Sequence, residues 1–430
     1  MNKKKIAVIG LWHLGCVISS CLADIGHQVI AYDSDENRIE QLKKGIAPLY
    51  EPGLNELIQK QIIEGNISFT NCMTDLADAE FIWITVDTKL DDNDNCDVNE
   101  IVEIMKMFGT FEHMHNYIVS SQLPVGSCEK LLSYVESENC KIACIPENFQ
   151  LGKAIEYFHT TNFWVIGSDD EEYADKVKKL LEPVYSEPII CSLETAEMLK
   201  HSINSFFATI ISFSNALSEL AVHAGADAYK VVEIMKQEPR IKNGKLPLMP
   251  GPWFSGGTLA RDVKVLSSLQ DEGSSEAEKF FQEVLAVNNA RCDYLLDRVF
   301  ENKDVSKLKV AVLGIIYKNG TNTLRRSPGM QIIEKLYQRN VKSISIYDPL
   351  LVKDDINLDK YGETVIYDTI EEALNTTDIA LLVRDDIIAC VDEKQLEKLL
   401  EGKVLLDIPN SIRQVYGSCK IIKPGINEVK

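Results

Sequence analysis

Near its N-terminus the chain reads "KIAVIGLWHLG": a β-rich run over residues 5–9 enters a tight turn carrying Gly10 and Gly15. A helical pattern follows, and a second β-rich run, "QVIAYD", ends at Asp33. A strand that feeds a helix and returns to another strand is expected to lie parallel to its predecessor, with the helix crossing one face. The unit recurs. "FIWITV", "YIVSS", "KIACIP" and "FWVIGS" are further strand candidates, most of them separated by amphipathic helical segments. This alternation over residues 1–190 predicts an α/β domain with a doubly wound parallel sheet.

The alternation then stops. "LETAEMLKHSINSFFATIISFSNALSELAVHAG", residues 193–225, is one helical pattern without Pro or internal Gly. A second helical stretch covers about 258–300, so residues 191–300 form an all-helical central section with a long helix. From Lys307 the β/α pattern returns in "KLKVAVLG", "KSISIYD", "DIALLVR" and "KVLLD". Residues 301–430 are therefore a second, smaller α/β domain, entered through the polar "ENKDVSK" at 301–307.

A formal net charge of -20 argues against nucleic acid or an anionic membrane as the main partner. It leaves room for a small anion held at a helix N-terminus. Eleven cysteines without CxxC pairs or His-Cys clusters argue against a zinc or disulfide framework and fit a reducing cytoplasm. Lys3, Lys4 and Lys5 before an apolar run have the look of a signal peptide. Trp12-His13 interrupts that run, however, and "HQVIAYDSD" continues it as a second strand. No uninterrupted apolar run of about 20 residues predicts a membrane span.

Strand, glycine turn, helix, strand and an acid about 20 residues on is the Rossmann arrangement for dinucleotides. The turn residues Gly10, Trp12, His13, Leu14 and Gly15 would then face the pyrophosphate at the helix N-terminus, and Asp33 would receive the ribose hydroxyls. An acid at Asp33 favours NAD over NADP; Arg38, one turn later, leaves NADP tolerance open. Trp12 departs from the pattern, which has Gly at that position so that backbone can approach the pyrophosphate. The alternative is an α/β domain whose tight turn binds nothing.

Further along come "GIAPLYEPGL" at 45–54, "VDT" at 86–88, "LPVGS" at 123–127, "IPENF" at 145–149 and "EMLKHSIN" at 197–204. "EPRI" at 238–241, "PGPWFSGGTLARDV" at 250–263, "YKNGTNTLRRSP" at 317–328 and "YDP" at 347–349 complete the series. In order and spacing these resemble the UDP-glucose/GDP-mannose 6-dehydrogenase family over nearly the whole chain. The resemblance implies an NAD-binding N-terminal domain, a central dimerisation and substrate section and a C-terminal nucleotide-sugar domain. It also implies oxidation of the C6 hydroxyl of a nucleotide-linked sugar to a carboxylate, using NAD twice and an active-site Cys that traps the aldehyde. Synthesis of polysaccharide precursors is the implied setting, and a homodimer or higher homo-oligomer the implied assembly.

The resemblance assigns roles residue by residue. Lys200 and Asn204 match an active-site Lys and Asn; at i, i+4 on one helix they face the same way and suit a developing alkoxide. Asp262 matches an acid that helps activate water, and Glu147 an acid that handles protons. Arg240 matches an Arg presented to a neighbouring subunit's sugar, and Lys318 a sugar-nucleotide contact. Ser255 and Gly256 of the glycine turn are expected against the sugar. Arg261, Arg325, Thr88 and Gln122 are expected cofactor contacts. Each also has a structural reading: Asp262 as a helix-start charge, Glu147 as a strand-end turn residue, and the lone bases as solvated surface.

The turn "WFSGGTLARD" resembles the family's "GFGGSCFPKD", and aligned without a gap it puts Thr258 in the place of the Cys. Sliding the glycines by one puts Leu259 there; either way the thiol is missing. A Thr hydroxyl is far less acidic than a thiol and needs an adjacent base to attack. Other departures are Gln122 for Thr, Leu151 for Glu, Trp253 and Ser255 for Gly, Lys89 for Pro, and Pro409 for a basic residue. Three readings stay open: a dehydrogenase with an altered second oxidation, a four-electron enzyme whose thiol comes from elsewhere, or a non-catalytic nucleotide-sugar-binding or regulatory homologue. No metal is expected.

Overall fold

The computed structural model describes residues 3–90, 96–109, 116–135, 140–146, 149, 151–161, 163–182, 184–185, 187–269, 275–317, 324, 326–353, 356–389, 391–413 and 417–427. The chain divides into two compact units, Met1–Ile203 and Asn204–Lys430.

The first unit begins β1 (Lys5–Ile9), α1 (His13–Asp24), β2 (Gln28–Tyr32), α2 (Glu36–Lys43), α3 (Leu54–Ile63), β3 (Ile67–Thr70) and β4 (Phe81–Ile84). A small hairpin, β5 (Lys89–Leu90) with β6 (Cys96–Asp97), precedes α4 (Asn99–Phe108), β7 (Asn116–Val119), α5 (Ser127–Leu132) and β8 (Lys141–Cys144). Then come α6 (Ala154–Thr160), β9 (Val165–Gly167), α7 (Glu171–Leu181), β10 (Ile189–Cys191) and the start of α8 (Leu193–Ala224). Apart from that hairpin, its described strands form one sheet in the order β10-β9-β8-β7-β4-β1-β2-β3. All neighbours are parallel except β8 and β9, which meet antiparallel at Cys144 and Gly167.

Alternation along the strands sorts the core into two layers, as the period of two requires. Ile6, Val8 and Trp83 pack on one face with α1, α3 and α7 residues such as Val17, Ile58 and Val177. Ala7, Ile9, Ile82 and Ile84 pack on the other with Ile104, Met105, Cys128 and Ala196. Each large aliphatic side chain so buried stabilises by about 1.5–3 kcal/mol. Both faces are covered, so the strands read as continuous apolar runs.

The second unit holds the rest of α8, then α9 (Ala228–Met235), α10 (Pro239–Lys242), α11 (Thr258–Leu266) and α12 (Glu276–Phe300). The helical stretch expected over 258–300 is thus two helices. The break is written in the sequence: Ser275 caps α12 through a capping box with Glu278. A second sheet follows, built from β11 (Lys309–Leu313), α13 (Pro328–Gln338), β12 (Ser343–Tyr347), β13 (Thr364–Ile366), α14 (Ile370–Asn375), β14 (Ile379–Leu382), α15 (Glu393–Leu400), β15 (Val404–Asp407) and β16 (Lys420–Ile422). Its order is β13-β12-β11-β14-β15-β16, all parallel. Around its first strand it repeats the arrangement of the first sheet. The α/β, doubly wound architecture with a long central helix is the one the sequence predicts.

Candidate functional site

In the first unit the turn after β1 depends on two glycines. Gly10 has φ +93°, and a Cβ there would lie 2.7 Å from the Val86 Cα. A Cβ on Gly15 would lie 1.9 Å from the Gly10 carbonyl oxygen, so only glycine lets α1 pack this close to β1. Trp12 is the N-cap of α1. The first turn of the helix has no side-chain cap and no acidic residue, which leaves its N–H groups and dipole directed at an incoming anion. His13 beside it pairs with Glu51, Nε2 to Oε2 at 2.8 Å.

Asp33 closes the far side of the turn. Its Oδ2 accepts from Leu11 N–H at 2.7 Å and from Arg38 Nη1 at 2.6 Å, and its Oδ1 accepts from Asp35 N–H at 3.0 Å. The Arg38 guanidinium also lies 5.3 Å from the centroid of the Trp12 ring. An uncapped helix start, a glycine-only approach and a buried acid make up a donor and acceptor set that fits a dinucleotide, with the pyrophosphate on α1 and the ribose at Asp33. Trp12 is 40% exposed, with the Arg38 guanidinium against its ring.

Farther along the sheet, Thr88 and Gln122 meet: the Thr88 hydroxyl donates to the Gln122 carbonyl at 2.9 Å. Gln122 and Lys200 line one small cavity together with Ser121, Cys144, Glu197 and His201. Two residues of α8 that the sequence reading passed over hold its wall. Glu197 accepts from the Gly126 and Cys128 N–H groups at 2.5 and 2.8 Å, and His201 Nε2 lies 2.8 Å from the Leu123 carbonyl. Both sit within "EMLKHSIN", four residues apart and so on one face of the helix, and that spacing was the available signal. The Cys128 thiol is pushed well above its usual range, first by its hydrogen bond to Cys144 and then by burial.

In the second unit Asn204 donates from Nδ2 to Asp262 Oδ2 in a short contact. Asp262 is fully buried on α11, whose first residue is the exposed Thr258. Thr258 and Asp262, at i and i+4, share a helix face. Arg261 is buried beside them. The turn leading in contains Ser255 and Gly256; Gly256 has φ +76°, its N–H donates to the Arg326 carbonyl at 3.1 Å, and a Cβ would come 2.9 Å from the Tyr317 ring.

Side chains outside the turn hold its backbone. Asn215 accepts from Gly251 N–H and donates to the Pro252 carbonyl, both at 3.1 Å. Asn288 accepts from Phe254 N–H at 2.8 Å and donates to the Phe254 carbonyl at 3.0 Å. Arg291, wholly buried, reaches the carbonyls of Gly251 and Asn215 and pairs with Glu219 at 2.9 Å. Its burial lowers the guanidinium's pKa, and Glu219 works against that shift. None of these three residues was legible as a site residue, because their partners lie 34 to 40 residues away or more.

Arg240 is exposed on α10 and pairs with Glu238, Nε to Oε1 at 2.8 Å. Glu147, Lys318 and Arg325 lie outside the described residues. Among the described residues no group of His, Cys, Asp and Glu is placed to hold a metal ion.

Three domains described for the UDP-glucose/GDP-mannose dehydrogenase family match in order: the NAD binding domain over residues 4–185, the central domain over 194–290 and the UDP binding domain over 311–414. UDP-glucose 6-dehydrogenase TuaD of Bacillus subtilis (strain 168) is 31% identical over 417 residues, covering 94% of this chain and 88% of its own. UDP-glucose 6-dehydrogenase YwqF of the same organism is 30% identical over 391 residues, covering 88% of this chain and 87% of its own. The fold matches a UDP-glucose dehydrogenase from Pyrobaculum islandicum with a TM-score of 0.86 at 24% identity, over 99% of this chain and 98% of the other. With three family domains in register along an NAD-binding sheet, a helical centre and a second sheet, this chain belongs to the UDP-glucose/GDP-mannose dehydrogenase family of NAD-dependent oxidoreductases.

Proposed function

We propose that the protein oxidises the C6 hydroxyl of a UDP-glucose-like nucleotide sugar, and that its second oxidation is altered because Thr258 stands where a thiol is expected. The observation that carries this reading is the buried Asp262, held by Asn204 and one helical turn from Thr258. Bound NAD supplies the hydride acceptor. Lys200 and Asn204, one turn apart on α8, donate to the sugar oxygen as negative charge develops on it. Asp262 takes the hydroxyl proton. Glu147, Arg240, Ser255, Gly256 and Lys318 are assigned to the sugar nucleotide, and Thr88, Gln122, Arg261 and Arg325 to the cofactor.

Thr258 has no sulfur with which to form the thioester, and its hydroxyl is far less acidic and less nucleophilic than a thiol. Oxidation then either stops at the aldehyde or continues through its hydrate. Counting NADH per sugar over a panel of UDP- and GDP-sugars decides between the branches. One NADH with a trappable aldehyde marks the first. Two NADH, insensitive to a thiol alkylator, mark the second. Two NADH abolished by the alkylator assign a thiol elsewhere in the chain. Sugar binding by calorimetry without NAD binding, and no turnover, replaces the proposal with a non-catalytic binding role, for which Trp12 and Thr258 are the motivating residues.

The same reading includes a homodimer through α8. This helix is long and apolar enough, by length and composition, to cross a membrane. Its outward face is nevertheless patterned for another helix: Phe206, Phe213 and Leu220, spaced seven apart, are 55%, 49% and 68% exposed. Leu220→Asp is expected to shift the protein to a monomer in light scattering. An unchanged mass removes α8 from the interface. No disulfide joins the ten described cysteines, which supports a cytoplasmic setting.

A further inference from the structure

Trp12 occupies the position where the dinucleotide turn ordinarily has a glycine, and it is the one tryptophan of four with its ring in solvent. It is 40% exposed, whereas Trp83, Trp164 and Trp253 are at most 4%. Its neighbour is the Arg38 guanidinium, at 5.3 Å from the ring centroid. Arg38 has two anionic partners of unequal reach: Asp33 at 2.6 Å and Asp35 at 3.6 Å, the latter largely exposed.

Asp33 is the acid that must serve the ribose, and its oxygens are already engaged. Oδ2 accepts from Leu11 N–H and Arg38, and Oδ1 from Asp35 N–H. The two backbone donors are fixed by the turn and by the start of α2. Arg38, on a long and partly exposed side chain, is the exchangeable partner. When ribose hydroxyls take its place, the guanidinium must go elsewhere. A planar cation needs a planar surface, and the indole is the best of the aromatic faces.

We propose that Trp12 and Arg38 form a shelf for the adenosine half of the cofactor, in which the indole holds the guanidinium in place once Asp33 is given over to the ribose. Trp12 thereby acts as a positioning residue for Arg38, and the cofactor keeps its cation beside the adenosine. The inference rests on NAD binding by the N-terminal domain and is independent of the sugar chemistry.

The test is a double-mutant cycle on the full-length protein without sugar, with NAD affinity read by calorimetry. In parallel, acrylamide quenching of tryptophan emission is read, which here reports Trp12 because the other three are buried. NAD is expected to shield Trp12. Trp12→Ala and Arg38→Lys are each expected to weaken NAD about five- to tenfold, the scale of a cation–π contact drawn out of water. The double variant is expected to be no weaker than the weaker single variant within about twofold, since both changes remove one contact. ADP-ribose should show the same losses. Thermal unfolding of each variant should match the parent, which separates lost binding from lost fold.

Additive losses, or an unshielded Trp12, overturn the shelf. So does a Trp12→Gly variant that binds NAD as tightly as the parent or more tightly, since the indole would then be idle or an obstruction. A parent protein that binds no NAD fails both this inference and the dehydrogenase reading. A parent that binds NAD with an additive cycle fails only the shelf.

Discussion

The two sheets are built on one plan and use the same acid differently. Each first strand runs into a glycine with positive φ, +93° at Gly10 and +95° at Gly314. Each of these glycines donates its N–H to the last residue of the neighbouring strand, Tyr32 at 3.0 Å and Tyr347 at 2.9 Å. Each following helix carries a glycine against that turn, Gly15 and Gly329. Each second strand is followed by an aspartate, and Asp348 accepts from Ile315 and Ile316 N–H as Asp33 does from Leu11. Both aspartates then meet an arginine, and there the parallel ends.

Arg38 comes from the helix just after Asp33, and its side chain is 24% exposed. Arg384 comes from beyond β14 and is 9% exposed. It is clamped by Asp348 at 3.0 Å, by the Ile316 carbonyl at 3.3 Å and by both oxygens of Asp386 at 2.9 and 2.7 Å. On the reading proposed above, the first pair opens to admit a ribose. The second is committed to holding its own turn. A shared scaffold therefore does not imply a shared ligand; the source and burial of one arginine separate a receptive acid from a structural one.

The largest effect expected from this contrast is on stability. Asp348→Asn leaves the Arg384 charge buried with one anion fewer, and should lower urea stability by about 3–5 kcal/mol. Asp33→Asn should cost no more than about 2 kcal/mol while greatly weakening NAD. Equal stability losses for the two substitutions would break the comparison.

Glycine substitutions sharpen it next. Gly15→Ala and Gly329→Ala both overpack a turn, placing a Cβ 1.9 Å from the Gly10 oxygen and 2.5 Å from the Ile315 Cα respectively. Each should cost about 1–3 kcal/mol or more. Only Gly15→Ala should abolish NAD binding in calorimetry; loss of NAD binding by Gly329→Ala would contradict the separation of roles.

The smallest effect is a pH dependence from Asp386, the second anion on Arg384. Arg384 holds the Asp386 carboxyl below its ordinary range, first through their hydrogen bond and then through charge, against an opposing burial. The folded pKa is depressed, so this stabilisation is present above about pH 4 and lost as pH falls through the lowered value. Asp386→Asn should remove it, by about 1 kcal/mol or less, in unfolding measured across that acid window.

Much of this was readable in the sequence. Long apolar runs such as "KIAVIG" and "KLKVAVLG" became the central strands, because both faces of each sheet are covered. The strands missed in the two large sheets, Ile67–Thr70, Ile189–Cys191, Thr364–Ile366 and Lys420–Ile422, are short, and all four lie at a sheet edge, so their runs carry little signal. The glycine turns and Asp33 were legible because local backbone chemistry demands them. The arginines that distinguish the two acids were not equally so. Arg38 is five residues from Asp33, but Arg384 is 36 from Asp348, and nothing local announces that pairing.

The hold that Asn215, Asn288 and Arg291 keep on the backbone at 251–254 bears on how this protein can be redesigned. The turn's path is set by side chains it does not contain, so the residue at 258 acts as an exchangeable fitting on a fixed mount. Thr258→Cys, Thr258→Ser and Thr258→Ala can then be compared as changes of chemical head group alone, in a loop whose course is decided elsewhere.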